Sequence, residues 1–342
     1  MRITICGGGN LGHVCAGFLS AQGDNRVSLL TTRPEQWSNS IDVFDCKGNV
    51  MHGILENISR RAEDVIPHAE MVLVCLPGYA IGKVLEYISP HLNSSCLVGT
   101  VVSNTGFFFE AFKYLPKSQP LFGFQRVPFI SRITHYGREA ELKGYKDLLC
   151  VAVEHTYNKE VVRKELEGLF HTTVKLLNSH YEVSLSNSNP LLHTSRLYTL
   201  WKDWKPGITY NRNPGFYSEW TLEAAELYIA MDQEFQQLLR KLNVKEDSIP
   251  SVLKYYESSD AESLVNKIRS IPAFQGILSP MKLNKYNMFE PDFHSRYFTE
   301  DFPYGLKFIY ETALKYNIQT PQIENVYFWG ENIILNSREN EK

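Results

Sequence analysis

MRITICGGGNLGHVCAGFLS, residues 1–20, decides the fold. Arg2 to Cys6 is a short, apolar-leaning strand, and Leu11 to Leu19 reads as an amphipathic helix. Between them Gly7, Gly9 and Gly12 fall at G-x-G-x-x-G spacing. A glycine triplet alone says little, but between a first strand and a helix it is the dinucleotide fingerprint. Gly7 permits the tight turn, Gly9 lets a pyrophosphate approach the backbone, and Gly12 lets the helix pack closely on its strand. The helix start then offers unpaired N–H groups and the positive end of a dipole to the phosphates.

Outward from that stretch, strand and helix keep alternating. Arg26 to Thr31 (RVSLLT) is a second strand, and Met71 to Leu76 (MVLVCL) is a fully apolar one stopped by Pro77-Gly78. Ala80 to Ile88 is a helix, Cys96 to Val102 (CLVGTVV) a further strand, and Pro120 to Val153 a set of short strands joined by turns. This alternation predicts an α/β unit with a right-handed, doubly wound, mostly parallel sheet, a Rossmann domain. Ligands bind such sheets at the carboxyl ends of the strands, which is where Leu76 and Pro77 fall. The second half reads as helical. A helix is expected from an N-cap at Ser218 to about Leu242, with others over Ser258 to Ile271 and Gly305 to Tyr316. The polar, turn-rich SHYEVSLSNSNP places the boundary near 180, giving domains of 1–180 and 181–342. The last ten residues are polar and are expected to fray.

Composition narrows the partners. The 342 residues are 43% hydrophobic and 21% charged, with a net charge of −3 and no basic block. Nucleic acid and anionic membranes are therefore not expected partners. No apolar run approaches the ~18–20 residues that span a bilayer, and Met1-Arg2 lead straight into a strand, so neither a membrane anchor nor a secretory leader is expected. Cys6, Cys15, Cys46, Cys75, Cys96 and Cys150 form no C-x-x-C pair and read as buried, reduced thiols of a cytoplasmic protein. No His/Cys or H-E-x-x-H spacing announces a metal. Aromatics make up 13% of the chain and concentrate in the second half, which leaves room for a homodimer.

The end of the second strand bears on the nucleotide. An NAD site commonly carries an acid there for the ribose 2′-hydroxyl, whereas this chain has Thr31, Thr32 and Arg33. Arg33 offers a planar charged fork to a 2′-phosphate, which favours NADP; if Arg33 is only an exposed loop residue, the cofactor is NAD. No second flavin-type signature accompanies the glycines. The expected nucleotide-binding residues are Gly7, Gly9, Asn10, Leu11, Gly12, Thr32, Arg33, Leu76 and Pro77.

Two segments of the second half carry candidate chemistry. SNSNPLLHTSRLY (186–198) places His193 three residues after Asn189-Pro190, near a helix start, and HSRYFTEDFPYGL (294–306) crowds Arg296, Glu300 and Asp301 together. A histidine serves as general acid or base near neutral pH; a lone one is more often packed or exposed, and acids before Pro303 also suit a capped helix start. The aromatic, basic YTLWKDWKPGITYNRNPGFY (198–217) either lines a pocket, through Trp201, Trp204, Tyr210 and Phe216, or packs a loop on the helical core.

Together with the GGGNLG start and FGFQRVPFISRITHYGREAELKGYK, the NPLLH and RYFTEDFPYGL runs make most of the chain resemble the octopine/nopaline (opine) dehydrogenases, which are similar in layout to ketopantoate reductases and glycerol-3-phosphate dehydrogenases. The resemblance implies an N-terminal Rossmann domain, an all-α C-terminal domain and a substrate bound between them. It implies an enzyme that joins the amino group of an amino acid to a 2-oxo acid and reduces the imine with NADPH, the nicotinamide lying near the Pro77 turn. It gives His193 the position of a catalytic histidine, Asp301 that of its carboxylate partner, and Arg296 and Asn189 substrate-binding positions. Two alternatives stay open: a ketopantoate reductase-like reduction of a 2-oxo acid alone, which would use a lysine as acid, and a non-catalytic NADP sensor.

Overall fold

The computed structural model describes residues 1–156, 158–245 and 247–339. Contacts divide the chain into two units, Met1–Ser186 and Asn187–Lys342. The first runs β1 (Arg2–Cys6), α1 (Asn10–Ser20), β2 (Arg26–Leu30), β3 (Ser40–Asp45), β4 (Val50–Ser59), β5 (Met71–Val74), α2 (Gly78–Ile88), β6 (Leu97–Thr100), α3 (Phe107–Tyr114), β7 (Leu121–Phe124), β8 (Phe129–His135), β9 (Glu139–Tyr145), β10 (Leu148–Glu154), α4 (Lys159–Phe170), β11 (Thr173–Leu176) and α5 (His180–Ser184).

All eleven strands form one sheet, in the order β11-β10-β7-β6-β5-β1-β2-β4-β3-β9-β8. Its centre, β4-β2-β1-β5-β6-β7, is wholly parallel and has the strand order of a dinucleotide-binding sheet. Strand alternation sorts the core onto two faces. Ile3, Ile5, Met71 and Leu73 join Val14, Phe18 and Leu19 of α1 and Leu166 of α4 on one face. Cys6, Val72 and Val74 join Ile81 and Leu85 of α2 and Phe107, Phe108 and Ala111 of α3 on the other. Helices therefore cover both faces, as a doubly wound sheet requires. Beyond the centre, β3 and β4 pair antiparallel, and β3 continues in parallel to β9.

The unit ends later than residue 180 because α5 is tied to the sheet: Val183 is buried against it, and Gln125 Nε2 donates to the Glu182 carbonyl at 3.0 Å. The expectation of uniformly buried thiols fails at Cys46, which is exposed, and at Cys150, which is half-buried; the other four are buried, and all six are free.

The second unit comprises α6 (Asn189–Trp201), α7 (Leu222–Lys241), α8 (Val252–Tyr255), α9 (Ala261–Ser270), β12 (Met281–Leu283), β13 (Phe289–Pro291), α10 (Arg296–Thr299), α11 (Lys307–Lys315) and α12 (Pro321–Glu339). The cap of α7 is Thr221, whose hydroxyl accepts from the Ala224 N–H at 3.2 Å, and not Ser218. Helical periodicity gives no sign of the antiparallel β12–β13 ribbon. The expected fraying is overturned as far as Glu339: α12 buries Ile323, Val326, Tyr327 and Ile334 at helical spacing. Its first turn is fastened by buried Glu234 of α7, which accepts from the N–H groups of Gln322 (2.8 Å) and Ile323 (3.0 Å). Residues 340–342 lie outside the described residues. Among the described residues no helix is long and apolar enough to cross a membrane.

Candidate active site

In the first unit, a cavity of about 390 Å³ opens at the carboxyl ends of β1, β2 and β5. Gly7, Gly9, Thr32, Arg33, Leu76 and Pro77 all line it, as the sequence predicts. Gly7 has φ +121°, a conformation in which a side chain would be strained, and a Cβ there would stand 2.5 Å from the Cys75 carbonyl oxygen. A Cβ on Gly12 would overlap the Gly7 carbonyl, so this glycine sets the approach of α1 to β1. A Cβ on Gly9 would meet nothing within 4 Å. Gly9 is the N-cap of α1, and no side chain caps that helix. Its first-turn N–H groups thus face open space, which fits the pyrophosphate of a dinucleotide.

Asn10, Leu11 and Gly12 do not line the cavity. Asn10 Oδ1 instead accepts from the Ile133 N–H of β8 at 2.9 Å, and Leu11 packs on the core. Two groups that the sequence reading passed over help to shape the site. Buried His13 joins the glycine turn to Gly137, between β8 and β9. Its Nε2 accepts from the Gly137 N–H at 2.7 Å, so its Nδ1–H donates to the Gly9 carbonyl at 2.9 Å. Burial lowers its pKa, in keeping with a neutral ring. Arg60 also lines the cavity, paired to Glu35 at 2.9 Å. It follows β4, a strand with few buried positions and so a faint periodic signal. The guanidinium of Arg33 lies over the Tyr136 ring, 5.8 Å from its centroid.

The second unit brings together residues 108 apart in sequence: His193 Nδ1 lies 2.7 Å from Asp301 Oδ2. His193 sits on the second turn of α6 and is buried. Asp301 opens a wide π-helical turn, Phe302–Leu306, between α10 and α11. That turn seats on α6 because Gly305 has no side chain: a Cβ there would collide with Pro190. The other nitrogen, His193 Nε2, lies 2.8 Å from the hydroxyl of buried Tyr217. The Tyr297 ring lies 4.7 Å from the imidazole. Burial, ahead of the neighbouring Tyr297, Tyr256 and Asp301, drives the Tyr217 phenol far above its ordinary pKa, so it keeps its proton.

The remaining predicted residues stand apart from this centre. Arg296 makes a bidentate pair with Glu300 (3.1 and 2.9 Å), and its side chain is 85% exposed. Asn189 is exposed at the start of α6, where Ser188 is the cap; its backbone N–H donates to Asn187 Oδ1 at 3.2 Å. Of the aromatics considered for a pocket, Phe216 borders the imidazole at 5.8 Å between centroids, while Trp201 packs on Phe293 and Phe298. Trp204 packs on Phe293 and, as expected, lines a cavity, one of about 380 Å³ with Pro291 and His294, while Tyr210 bridges to Phe289 through its backbone. Tyr217 and Tyr297, which do reach His193, escaped the sequence reading because neither stands at a telling spacing from it. Among the described residues, no group of three or more His, Cys, Asp or Glu is placed to hold a metal ion.

The chain is similar to proteins of known activity along most of its length. Residues 176–334 match a family model described as NAD/NADP octopine/nopaline dehydrogenase, alpha-helical domain. The chain is 26% identical to tauropine dehydrogenase of Arabella iricolor, over 97% of this chain and 91% of that protein. It is 25% identical to opine dehydrogenase of Haliotis discus hannai, over 96% and 89%. Octopine dehydrogenase solved with NADH and L-arginine has the same fold, with a TM-score of 0.85 at 22% identity over 98% of this chain and 89% of that one.

Proposed function

We propose that this chain is an NAD(P)-dependent oxidoreductase of the octopine/nopaline dehydrogenase type, acting on CH–NH groups, and that it joins the amino group of an amino acid to a 2-oxo acid and reduces the product. The observation that carries the reading is His193 held at both nitrogens, by Asp301 at 2.7 Å and Tyr217 at 2.8 Å. The family's nicotinamide cofactor supplies the hydride when bound. The residues that would hold it are Gly7, Gly9 and the first turn of α1 for the pyrophosphate, with Thr32 and Arg33 toward the adenosine ribose and Leu76 and Pro77 toward the nicotinamide.

Asp301 keeps the Nδ1 proton on His193 and stabilises the imidazolium that forms when the ring takes a second proton. His193 is thereby the acid and base of amine condensation and loss of water. Arg296 binds a substrate carboxylate by exchanging Glu300 for it, since both are planar, bidentate partners of one guanidinium. Asn189 is a second, weaker polar contact. The nucleotide is NADPH in preference to NADH: the three residues after β2 are Thr31, Thr32 and Arg33, with no acid among them, and Arg33 and Arg60 both line the cavity.

An oxidation screen crossing a panel of amines with pyruvate, glyoxylate and 2-oxoglutarate tests the reaction. NADPH consumption should require both an amine and an oxo acid. Consumption with an oxo acid alone would replace this reading by simple keto reduction, and cofactor binding with no turnover on any pair would replace it by a sensor. Running NADH in parallel tests the nucleotide. An Arg33→Ser variant should weaken NADPH binding by about 10–100-fold, the worth of ~1.5–3 kcal/mol for hydrogen bonds to a charged group. NADH binding should be little changed. Equal weakening of both would remove Arg33 from 2′-phosphate recognition.

A further inference from the structure

A neutral imidazole has one N–H and one lone pair, and a carboxylate only accepts. With Asp301 at Nδ1, the ring proton of His193 sits there and Nε2 presents its lone pair, so the Tyr217 hydroxyl donates to Nε2. Once His193 is protonated the bond reverses, and Nε2–H donates to the phenol oxygen. In both states Tyr217 stands on the nitrogen that a substrate would otherwise reach.

Tyr217 is also held in place. Its ring is stacked on Phe274 (centroids 4.0 Å apart, planes 15° apart) and is nearly parallel to Trp220 on its own turn (6.2 Å, 8°). The backbone on either side is pinned by Arg196, which is 2% exposed. Its Nε donates to the Phe216 carbonyl at 3.1 Å and its Nη2 to the Glu219 carbonyl at 2.7 Å. Arg269 Nε secures the Trp220 carbonyl at 2.9 Å. Arg196 follows His193 by one turn of α6, so a single helix carries the imidazole and fixes the backbone that aims the phenol at it. Moving the backbone that carries Tyr217 would leave a buried guanidinium and two carbonyls unpaired, each at a cost of about 1–3 kcal/mol or more, and turning the ring out would break its stack on Phe274. The phenol is therefore a fixed part of the centre.

Resting on the proposed reaction, we propose that Tyr217 is the catalytic residue that touches the substrate, carrying protons between His193 and the reacting atoms, and that Arg196 is its positioning residue. The loss of water from the amine–oxo acid adduct is the step that needs it. The Nε2–H bond of the imidazolium breaks and its proton goes to the Tyr217 oxygen. The phenol's own proton passes to the adduct hydroxyl, and the C–O bond breaks with its electron pair on oxygen, which leaves as water. The nitrogen lone pair closes the C=N bond. Imidazolium and neutral adduct thus become imidazole, iminium and water. Burial disfavours a stored phenolate, so the two protons move together. Tyr297, whose phenol is hydrogen-bonded to that of Tyr217, helps to orient it.

Tyr217→Phe keeps the aromatic stack and removes one oxygen, so it tests the relay directly. On an amine–oxo acid pair that the wild type turns over, kcat should fall by about 100-fold or more, the usual worth of a positioned proton carrier. KM, NADPH affinity by fluorescence titration and the thermal midpoint should stay near wild type. The dependence of rate on D2O fraction should change from the curve of two protons in flight to the line of one. Arg196→Lys should lower kcat and produce the same change; a loss of stability with the curve intact would make Arg196 structural only. A Tyr217→Phe enzyme within threefold of wild type, or a line already in the wild type, would overturn the relay and leave the reaction standing. A wild type with no turnover on any pair would overturn the reaction itself, and the relay's role with it.

Discussion

His193→Ala should lose turnover by at least 1,000-fold while binding NADPH as the wild type does. Two effects add. The variant lacks the proton carrier, whose removal alone costs about 10²–10⁴ in rate. It also strands the Asp301 carboxylate, 14% exposed, without its hydrogen-bond donor, beside two phenols that hold their protons. Cofactor affinity should not follow, because Gly7, Gly9 and the first turn of α1 belong to the other unit. Asp301→Asn gives the sharper diagnosis. An amide can accept as well as donate, so it no longer fixes the proton on Nδ1. With the other tautomer favoured, Nε2–H points at Tyr217 and cannot take a proton. By analogy with carboxylate-to-amide changes in histidine-containing triads, the rate should fall on the order of 10³–10⁴ with the geometry intact. Stopped-flow turnover and fluorescence titration on the same preparations separate chemistry from binding. Residual activity above a tenth of wild type in His193→Ala would remove His193 from the mechanism.

The two sites differ in how much of them the sequence reveals. The glycine turn is local: three glycines, a strand and a helix lie within twenty residues, so spacing alone exposes them. The same locality accounts for Leu76 and Pro77, which stop a strand of four buried apolar residues. The His193 centre is non-local. Its members come from α6, the turn before α7 and the segment around α10, and only the resemblance to a family joined two of them in advance. Tyr217 and Arg196 were hidden for a physical reason. In an aromatic-rich loop every ring is an equal candidate for packing, and an arginine one turn past a histidine reads as an exposed charge until its carbonyl partners are known. By contrast, the signal for α12 was present, as apolar residues at three- and four-residue spacing; the polar tail obscured it.

Gly9→Val and Gly12→Ala should separate cofactor binding from folding within one turn of chain. Gly9 has φ −87° and ψ −170°, extended backbone that any residue adopts, and a side chain there would meet nothing of the protein within 4 Å. Valine should therefore leave the thermal midpoint almost unchanged, since losing glycine at an N-cap costs about 1 kcal/mol or less. It would fill the space through which a pyrophosphate approaches the N–H groups of α1. NADPH affinity should drop by about 100-fold or more, because about 3 kcal/mol of charge-assisted hydrogen bonding at a helix start is then out of reach. Gly12→Ala makes the opposite demand. Its methyl group would occupy the position of the Gly7 carbonyl, and Gly7 cannot retreat, being closed in by the Cys75 carbonyl. Helix α1 must then lift from β1, a strain of about 1–3 kcal/mol or more in a packed interior. A lowered unfolding midpoint in urea should accompany the loss of binding. A Gly9→Val protein that binds NADPH normally would show that the phosphates lie elsewhere, whatever the glycine spacing suggests.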